Sequence, residues 1–375
     1  MVNYVFFFLL YNGVMKTLGI SVYPEHSTYE DVFAYMKKAG ELGFKRVFTC
    51  FLSVKESKEE LVKNFSKFCQ VAHECGLTVS ADTNPEVFAH IGATPYDLSV
   101  FHEIGLDIIR LDGHFSSQED AAITRNPYGI MIEYNASGNI AFSNLIETGA
   151  DQENMCFCSN FFPQRHTGMG LKRYLELTSR YKKAGFRVAS FISSNEKNTF
   201  GPWPVFDGLP TLEMHRDLPI DLQLRHLIAM NLCQDILVGN AYASDAELKA
   251  MANTDLTKIT MKATLVDDIT PLEKQIVYYD KHNQRGDCND DILRSSGTRV
   301  VFKGQSIPPR SNEGFTAHRG DLLIVNDNLE HYRGELWVVC HDIEVSNEYN
   351  LVGKLNPNEE ILLDWVLPDS PFGIL

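Results

Sequence analysis

The sequence predicts a parallel (β/α)8 TIM barrel, an α/β fold, followed by a small all-β domain. From Lys16 onward, short apolar or β-branched runs alternate with segments of helical periodicity, which is typical of a parallel sheet built from βα units. Eight such units fit into about 240 residues, the usual size of a TIM barrel. After about Thr257 the helical periodicity disappears, and short strands separated by turn residues replace it.

Each predicted barrel strand is a short apolar run. The eight strands are Thr17–Tyr23, Arg46–Leu52, Thr78–Asp82, Ile108–Asp112, Ile130–Tyr134, Met155–Asn160, Arg187–Ile192 and Asp235–Gly239. Helices predicted between them include Tyr29–Leu42, Lys58–Cys75, Leu171–Ala184 and Asp221–Cys233. Several helical segments end at a glycine, as C-terminal caps do. A doubly wound open sheet is the alternative fold, but no G-x-G-x-x-G follows the first strand.

The change in sequence pattern along the chain predicts three parts: a tail, a barrel at residues 15–256 and a β-domain at residues 257–375. In the β-domain, which we expect to be a small barrel, the predicted strands are Thr260–Thr264, Gln275–Tyr279, Thr298–Phe302, Asp321–Val325, Gly334–Cys340 and Glu360–Trp365. Residues 1–14 contain the apolar run Val5–Leu10. That run is too short to span a bilayer and lacks the features of a signal peptide. We therefore predict a tail or a start-site artefact, with the natural start at Met15.

Composition bounds the partners that the protein can have. The chain carries 34 Lys+Arg against 49 Asp+Glu, a formal net charge of −15. This balance argues against nucleic acid as a partner, and no membrane partner is expected; a homodimer is the candidate assembly. Eight cysteines are scattered through apolar runs, which predicts reduced thiols and a cytoplasmic location. We expect no metal and no cofactor, since Cys156 and Cys158 have no second pair to complete a ligand set.

Polar side chains gather where the predicted strands end, which is where a TIM barrel places its active site. The residues concerned are Glu25, Asp82, Asn84, Asp112, Glu133, Asn135 and Asn160. Paired carboxylates at such a site suit glycosidic bond hydrolysis, which needs a protonated acid and an ionised partner. The alternative for any one of them is a salt bridge or a helix N-cap.

Two loops add candidate binding groups. The segment Pro163–Gly170 precedes a helix, so its backbone N–H groups and Arg165 could meet an anion; an ordinary loop is the alternative. The segment Asn198–Glu213 is rich in proline, glycine and aromatic residues. An aromatic loop over a barrel mouth suits a sugar ring, and the alternative is a packed lid without ligand contact.

Short motifs along the whole chain from Met15 resemble those of one bacterial family. They are Leu18–Pro24, Ala81–Pro85, Leu111–Gly113, Asn160–Pro163 with Thr167–Gly168, and Gly208–Arg216. Together they resemble the 6-phospho-N-acetylmuramidase family, formerly an uncharacterised "outer surface protein" family. The resemblance implies a TIM barrel with a cyclophilin-like domain. It also implies cytosolic hydrolysis of the β-1,4 bond between N-acetylmuramic acid 6-phosphate and N-acetylglucosamine, in cell-wall recycling.

With that resemblance in place, the strand-end residues receive predicted roles. For catalysis we predict Asp82, Asp112 and Glu133. For binding the phosphorylated amino-sugar disaccharide we predict Glu25, Asn84, Asn135, Asn160, Arg165, His166, Gly168 and, from the β-domain, Arg310. Two rival classes stay open: a sugar-phosphate isomerase or aldolase, and a non-catalytic glycan-binding protein. The first rival usually needs a metal set or a Schiff-base lysine at a strand end, and no lysine occupies one here.

Overall fold

Eight parallel strands close into a barrel in the computed structural model of the protein, which describes residues 15–52, 57–138 and 140–375. They are β1 (Thr17–Ser21), β2 (Arg46–Cys50), β3 (Thr78–Thr83), β4 (Ile108–Leu111), β5 (Met131–Asn135), β6 (Met155–Cys158), β7 (Val188–Ile192) and β8 (Asp235–Val238). The strands pair in chain order, and β1 closes the barrel against β8. The predicted TIM barrel is confirmed. The tail predicted at residues 1–14 lies outside the described residues.

Helices follow the strands and form the outer layer expected of this fold. They are α1 (Tyr29–Glu41), α2 (Lys58–Glu74), α3 (Pro85–Ile91), α4 (Ser99–Ile104), α5 (Ser117–Ala122), α6 (Phe142–Glu147), α7 (Leu171–Lys183), α8 (Ile220–Met230) and α9 (Asp245–Ala252). Local sequence sets their ends. Ser57 and Glu60 form a capping box at the start of α2, and Gly105 ends α4 at φ +87°, which a glycine adopts without steric cost.

The barrel interior is filled by side chains, as its strand alternation predicts. Gly19 on β1 shows how tight the packing is: a Cβ at this position would lie 2.1 Å from Cδ2 of Leu237 and 2.9 Å from the carbonyl oxygen of Arg46. Phe48, Phe191 and Leu237 form part of a buried cluster near the same wall. The interior is therefore a packed core with no room for a wider residue at Gly19.

The C-terminal region contains ten strands and two α-helices among the residues described. They are β9 (Ile259–Met261), β10 (Ala263–Leu265), α10 (Pro271–Val277), β11 (His282–Asn283), β12 (Ile292–Ser295), α11 (Gly297–Val301), β13 (Phe315–Ala317), β14 (Asp321–Val325), β15 (Leu336–Val339), β16 (Ile343–Val345), β17 (Tyr349–Leu355) and β18 (Pro371–Ile374). A five-stranded antiparallel sheet has the order β10-β17-β14-β15-β12. Sheets of three and two strands accompany it. The predicted all-β region is confirmed, and its cyclophilin-like character stays a prediction.

Three of the strands predicted in this region are wrong, because the segments are helical. Gln275–Tyr279 overlaps α10, which begins with a capping box of Thr270 and Glu273 around a proline. Thr298–Phe302 overlaps α11. Glu360–Trp365 lies in a 3-10 helix, Glu359–Trp365. Short apolar runs do not distinguish a strand from one or two helical turns by periodicity, and the Thr-x-x-Glu signal before α10 was the local feature that could have done so.

Contacts divide the described chain into two units. The first contains the residues up to Ile220 together with Leu232–Ala252, and the second contains Asp221–Asn231 and Asn253–Leu375. Within the second unit, Arg225 on α8 bonds Glu359 through Nη2 at 2.6 Å, and both residues are buried. Most of α8 therefore packs with the C-terminal region, although it lies between two barrel strands in sequence. No helix in the described part of the chain is both long and apolar enough to cross a membrane.

Candidate active site

A buried carboxylate and a buried guanidinium meet at the carboxyl ends of β3 and β4. Asp82 and Arg110 are register partners on these strands, and Nη1 of Arg110 bonds Oδ1 of Asp82. The two side chains are 4% and 3% exposed. A buried charge requires a partner, so the pair is a defined feature of the barrel interior and not a surface ion pair.

The same guanidinium reaches two more polar groups. Nη1 of Arg110 lies 3.4 Å from Oδ1 of Asp112, and Nη2 bonds Oδ1 of Asn160. In contrast to Asp82, the Asp112 side chain is 41% exposed. Two carboxylates with different solvent access therefore share one donor nitrogen at the barrel mouth, and the structure brings three of the predicted site residues together.

Burial raises the pKa of Asp82 to about 6. Arg110 lowers this pKa, but its effect is smaller than that of burial, and the nearby Asp112 raises the pKa further. A carboxyl group with this pKa is partly protonated near neutral pH. A carboxyl group whose pKa is raised by burial is typical of a general acid. The arrangement can therefore supply a proton and a negative charge to one bound group.

Glu133 lies apart from this group. Its side chain is 1% exposed, and Oε2 bonds Nη2 of Arg46 at 2.6 Å. Arg46 also lies 3.3 Å from Asp235, which in turn pairs with Arg187 at 2.5 Å. The structure thus places Glu133 in a buried network of two carboxylates and two arginines, where its side chain is almost fully shielded from solvent.

The stagger of the barrel explains this difference. Asp82, Arg110 and Glu133 are consecutive register partners on β3, β4 and β5, so in a flat sheet they would form one row. Strands in a closed barrel are tilted, and a row of register partners therefore moves along the barrel axis from strand to strand. Glu133 consequently lies in the same layer as Arg46 on β2. The β2 partner of Asp82 is Cys50, and Arg46 precedes Cys50 by four positions.

Two predicted sugar-binding asparagines have structural contacts. Oδ1 of Asn84 accepts the N–H of Val87 at 2.8 Å and caps α3, and Oδ1 of Asn135 accepts the N–H of Ser137 at 2.9 Å. The helix-cap alternative thus accounts for the oxygen of Asn84, and a local turn after β5 accounts for the oxygen of Asn135. Glu25 is exposed in the short 3-10 turn after β1, at the same end of the barrel as Asp82.

The loop after β6 was predicted to bind an anion through its backbone N–H groups. In the structure these N–H groups bind the carboxylate of Glu213 instead. The N–H groups of His166 and Gly168 donate to the two carboxylate oxygens of Glu213 at 2.8 and 2.7 Å. A Cβ at residue 168 would lie 2.4 Å from Oε2 of Glu213, so this approach requires glycine. Arg165 forms a two-point pair with Asp217 at 2.7 and 3.1 Å. Because Arg165, His166 and Gly168 all have partners within the protein, we no longer assign an anion site to these three residues.

Arg216 completes the arrangement around Glu213. Its Nε and Nη2 lie 2.7 Å from Oε1 and Oε2 of Glu213, and this pairing lowers the pKa of Glu213 to about 2. Arg216 also donates to the carbonyl oxygens of Asp207 and Phe162 at 2.8 and 3.0 Å. The pair of Glu213 and Arg216 thereby joins the loop after β7 to the loop after β6. The β6 loop begins close in sequence to Asn160.

Aromatic side chains from the loop after β7 remain accessible. Trp203 and Phe206 are exposed, and the Trp203 ring lies 6.1 Å from the ring of Phe161, which follows β6. Other residues of the loop, including Phe200 and Val205, pack against the barrel interior. The loop therefore has a packed base and an exposed aromatic face.

His114 lies at the same end of the barrel. It follows β4 by three residues, and Nδ1 lies 2.9 Å from Oδ2 of the buried Asp120. That hydrogen bond raises the pKa of His114, and Asp112 adds to the effect. Arg310, by contrast, pairs within the second unit with Asp268 and Glu273, both at 2.5 Å.

Sequence reasoning did not include Arg110, Glu213 and Arg216 in the site. Arg110 could have been found, since a charged residue in the middle of an inward-facing strand needs a buried partner. Glu213 lies 45 residues from Gly168, and nothing local to either residue indicates their contact. Among the described residues, no three His, Cys, Asp or Glu side chains form a group that could hold a metal ion.

A closed barrel of eight parallel strands alternating with helices defines a TIM-barrel protein, and its neighbouring carboxylates lie at the carboxyl ends of the strands, where this fold places its active sites. The chain belongs to the 6-phospho-N-acetylmuramidase family. The N-terminal family profile matches residues 18–253, and the C-terminal profile matches residues 259–375. The family name is that of a glycosidase.

Two solved structures are similar over nearly the whole chain. A crystal structure of an uncharacterised B. cereus protein is 37% identical, with a TM-score of 0.89, and the match covers 96% of this chain and 99% of that one. A conserved Enterococcus faecalis protein of unknown function is 22% identical, with a TM-score of 0.71 and 96% of each chain covered; it supports the fold alone. A comparison with curated proteins finds no match.

Proposed function

We propose that the protein hydrolyses the β-1,4 bond between N-acetylmuramic acid 6-phosphate and N-acetylglucosamine, as a cytoplasmic step of cell-wall recycling. The family match supports the substrate class. The observation that carries the chemistry is the pair of carboxylates, one buried and one half-exposed, on a single nitrogen of Arg110. Hydrolysis of a glycosidic bond needs two carboxyl groups in different protonation states.

In this proposal Asp82 is the proton donor. Its pKa near 6, raised by burial, leaves part of the population protonated near neutral pH, and protonation of the leaving oxygen is the step that a general acid performs. Asp112 is the second carboxyl group of the mechanism, because it is 41% exposed and lies 3.4 Å from Nη1 of Arg110. It either attacks the anomeric carbon or orients the substrate's own 2-acetamido group. Glu133 is left out of the catalytic set.

Retention of anomeric configuration is the expected stereochemical result. Oxygen atoms of Asp82 and Asp112 both lie within reach of Nη1 of Arg110, which fits the separation of about 5 Å in retaining enzymes better than the wider gap of inverting ones. Attack by the 2-acetamido group would also retain configuration. We expect proton NMR of the fresh reaction to show the β anomer of N-acetylmuramic acid 6-phosphate first; initial release of the α anomer would contradict the assignment.

The exposed aromatic side chains Trp203 and Phe206 suit the apolar faces of a sugar ring. The phosphate needs a cation, because a chain of net charge −15 would otherwise repel it. His114 meets this need best, since the buried Asp120 favours its charged form. It also lies two residues from Asp112, beside the proposed reaction site.

We expect the 6-phosphate to be required, and His114 to contribute to its recognition. The test compares cleavage of the phosphorylated and unphosphorylated disaccharides, with product analysis by mass spectrometry. His114→Gln should raise KM for the phosphorylated substrate by about tenfold, the effect of one charge-assisted hydrogen bond. Arg165→Ala, which removes a cation already paired with Asp217, is the matched control and should change KM little.

Equal cleavage of the two disaccharides would contradict the phosphate requirement. Release of an isomerised or carbon–carbon-cleaved sugar phosphate would favour the isomerase or aldolase alternative. Binding of the disaccharide without any turnover would favour the glycan-binding alternative. Product analysis with the wild-type protein therefore separates the three classes.

A further inference from the structure

We propose that Arg110 is a positioning residue that acts on two groups at once, holding the Asp82 carboxylate and turning the amide nitrogen of Asn160 toward the substrate. The inference rests on the proposed function and names a residue that sequence reasoning left without a role. The observation behind it is a single buried guanidinium whose two terminal nitrogens face different members of the site.

The first half of the argument concerns charge. Asp82 is almost completely buried, and Arg110 supplies the positive charge that faces it from β4. The other ionisable groups whose charges act on Asp82, or are acted on by it, are Asp112, Glu133, Cys50, Cys158 and Tyr23. Burial raises the pKa of both thiols and of the phenol, so these three stay neutral. Arg110 is therefore the group that favours the ionised form of Asp82 against two repelling carboxylates.

The second half concerns orientation. A guanidinium has donors and no acceptor, so the amide of Asn160 must present Oδ1 to Nη2 of Arg110. The NH2 group of Asn160 then points away from Arg110. Asn160 follows the end of β6, and the hydroxyl of Thr211 holds its backbone carbonyl at 2.9 Å. The amide nitrogen thus becomes a fixed donor for a carbonyl or hydroxyl oxygen of the substrate, such as that of an acetamido group.

The hydrogen bonds of Arg110 are made by its two terminal nitrogens alone. Nε of Arg110 is buried and has no hydrogen-bond partner within the described chain, and an unpaired buried donor costs stability. Arg46 offers a contrast: it is equally buried, and each of its nitrogens is bonded, Nε to Ser80, Nη1 to Asp235 and Nη2 to Glu133.

The charge argument is tested without any substrate, by carbon-13 NMR titration of the Asp82 carboxyl group in aspartate-labelled protein. Asp82→Asn assigns the signal. Arg110→Lys should move the titration midpoint upward by about one pH unit, because a single ammonium group cannot hold both Asp82 and Asn160 as the two terminal nitrogens of the guanidinium do. Arg46→Lys is the matched control and should lower Tm while leaving the midpoint in place. An unmoved midpoint in Arg110→Lys, or the same shift in Arg46→Lys, would overturn the charge argument.

The orientation argument is tested with Asn160→Asp, which keeps an acceptor for Arg110 and removes the amide donors. We expect kcat/KM for the phosphorylated disaccharide to fall by about tenfold or more, the effect of one lost hydrogen bond to a charged or polarised group, and Asn160→Ala to fall similarly. Retained kcat/KM in Asn160→Asp would overturn this half. If the wild-type protein does not cleave the disaccharide, the proposed function fails, whereas the NMR titration still decides whether Arg110 controls Asp82.

Discussion

Asp82→Asn is expected to lower kcat at least ~100-fold, the usual scale for removing a positioned acid. The amide has the same shape but cannot donate the carboxyl proton. In the wild-type protein kcat/KM should fall as the pH rises through about 6, because Asp82, whose pKa burial raises to about 6, loses its proton there. The measurement is the pH dependence of kcat/KM for both proteins on the phosphorylated disaccharide.

Asp245→Asn is the matched control for that measurement. Asp245 pairs with Lys38 on the surface, at the start of α9, and its amide variant should keep both the rate and the pH profile. Thermal melting of both variants checks that the fold is intact. An Asp82→Asn protein with near-normal kcat would remove Asp82 from the mechanism, and Glu25 would become the next carboxylate to replace.

Glu133→Ala is expected to lower the free energy of unfolding by about 3 kcal/mol or more, the scale for removing one partner of a buried ion pair. The substitution leaves Arg46 with only Asp235 and Ser80 as side-chain partners. The folded fraction should still cleave substrate, since Glu133 is 1% exposed and its carboxylate is paired with Arg46. Denaturant unfolding, with kcat measured well below Tm, gives both quantities.

Glu176→Ala is the control for the stability effect. Glu176 pairs with Arg173 on the surface of α7, and exposed pairs contribute at most about 1 kcal/mol. A Glu133→Ala protein of normal stability would show that the buried network contributes little. A Glu133→Ala protein that is stable but inactive would return Glu133 to the catalytic set.

The barrel could be predicted from the sequence because each βα unit carries its own local signals. Apolar runs mark the strands, and glycines such as Gly43 and Gly185 end helical segments at positive φ. The C-terminal region was harder to predict, because runs such as Gln275–Tyr279 are too short for periodicity to separate a strand from a helical turn. In that segment the capping box at Thr270 marks the start of helix α10, whereas strand propensity predicts a strand.

The site was predictable only in part. Asp82 and Asp112 could be identified from their place at strand ends, and the structure brings them to the same guanidinium. Glu133 follows the same pattern, but the barrel stagger that puts it beside Arg46 is a property of the closed sheet. The contact of Glu213 with the loop at Gly168 joins two distant loops, and a pattern in one segment cannot show such a contact.

The central claim is that the phosphorylated disaccharide is cleaved at Asp82 in the barrel mouth. A crystal structure of the Asp82→Asn protein with the intact disaccharide tests it most directly. We predict that the glycosidic oxygen lies about 3 Å from the side chain at position 82, the reach of a proton donor, with the sugar beside Asp112 and Asn160. A disaccharide bound away from these residues, or with its glycosidic oxygen facing another carboxylate, would contradict the account.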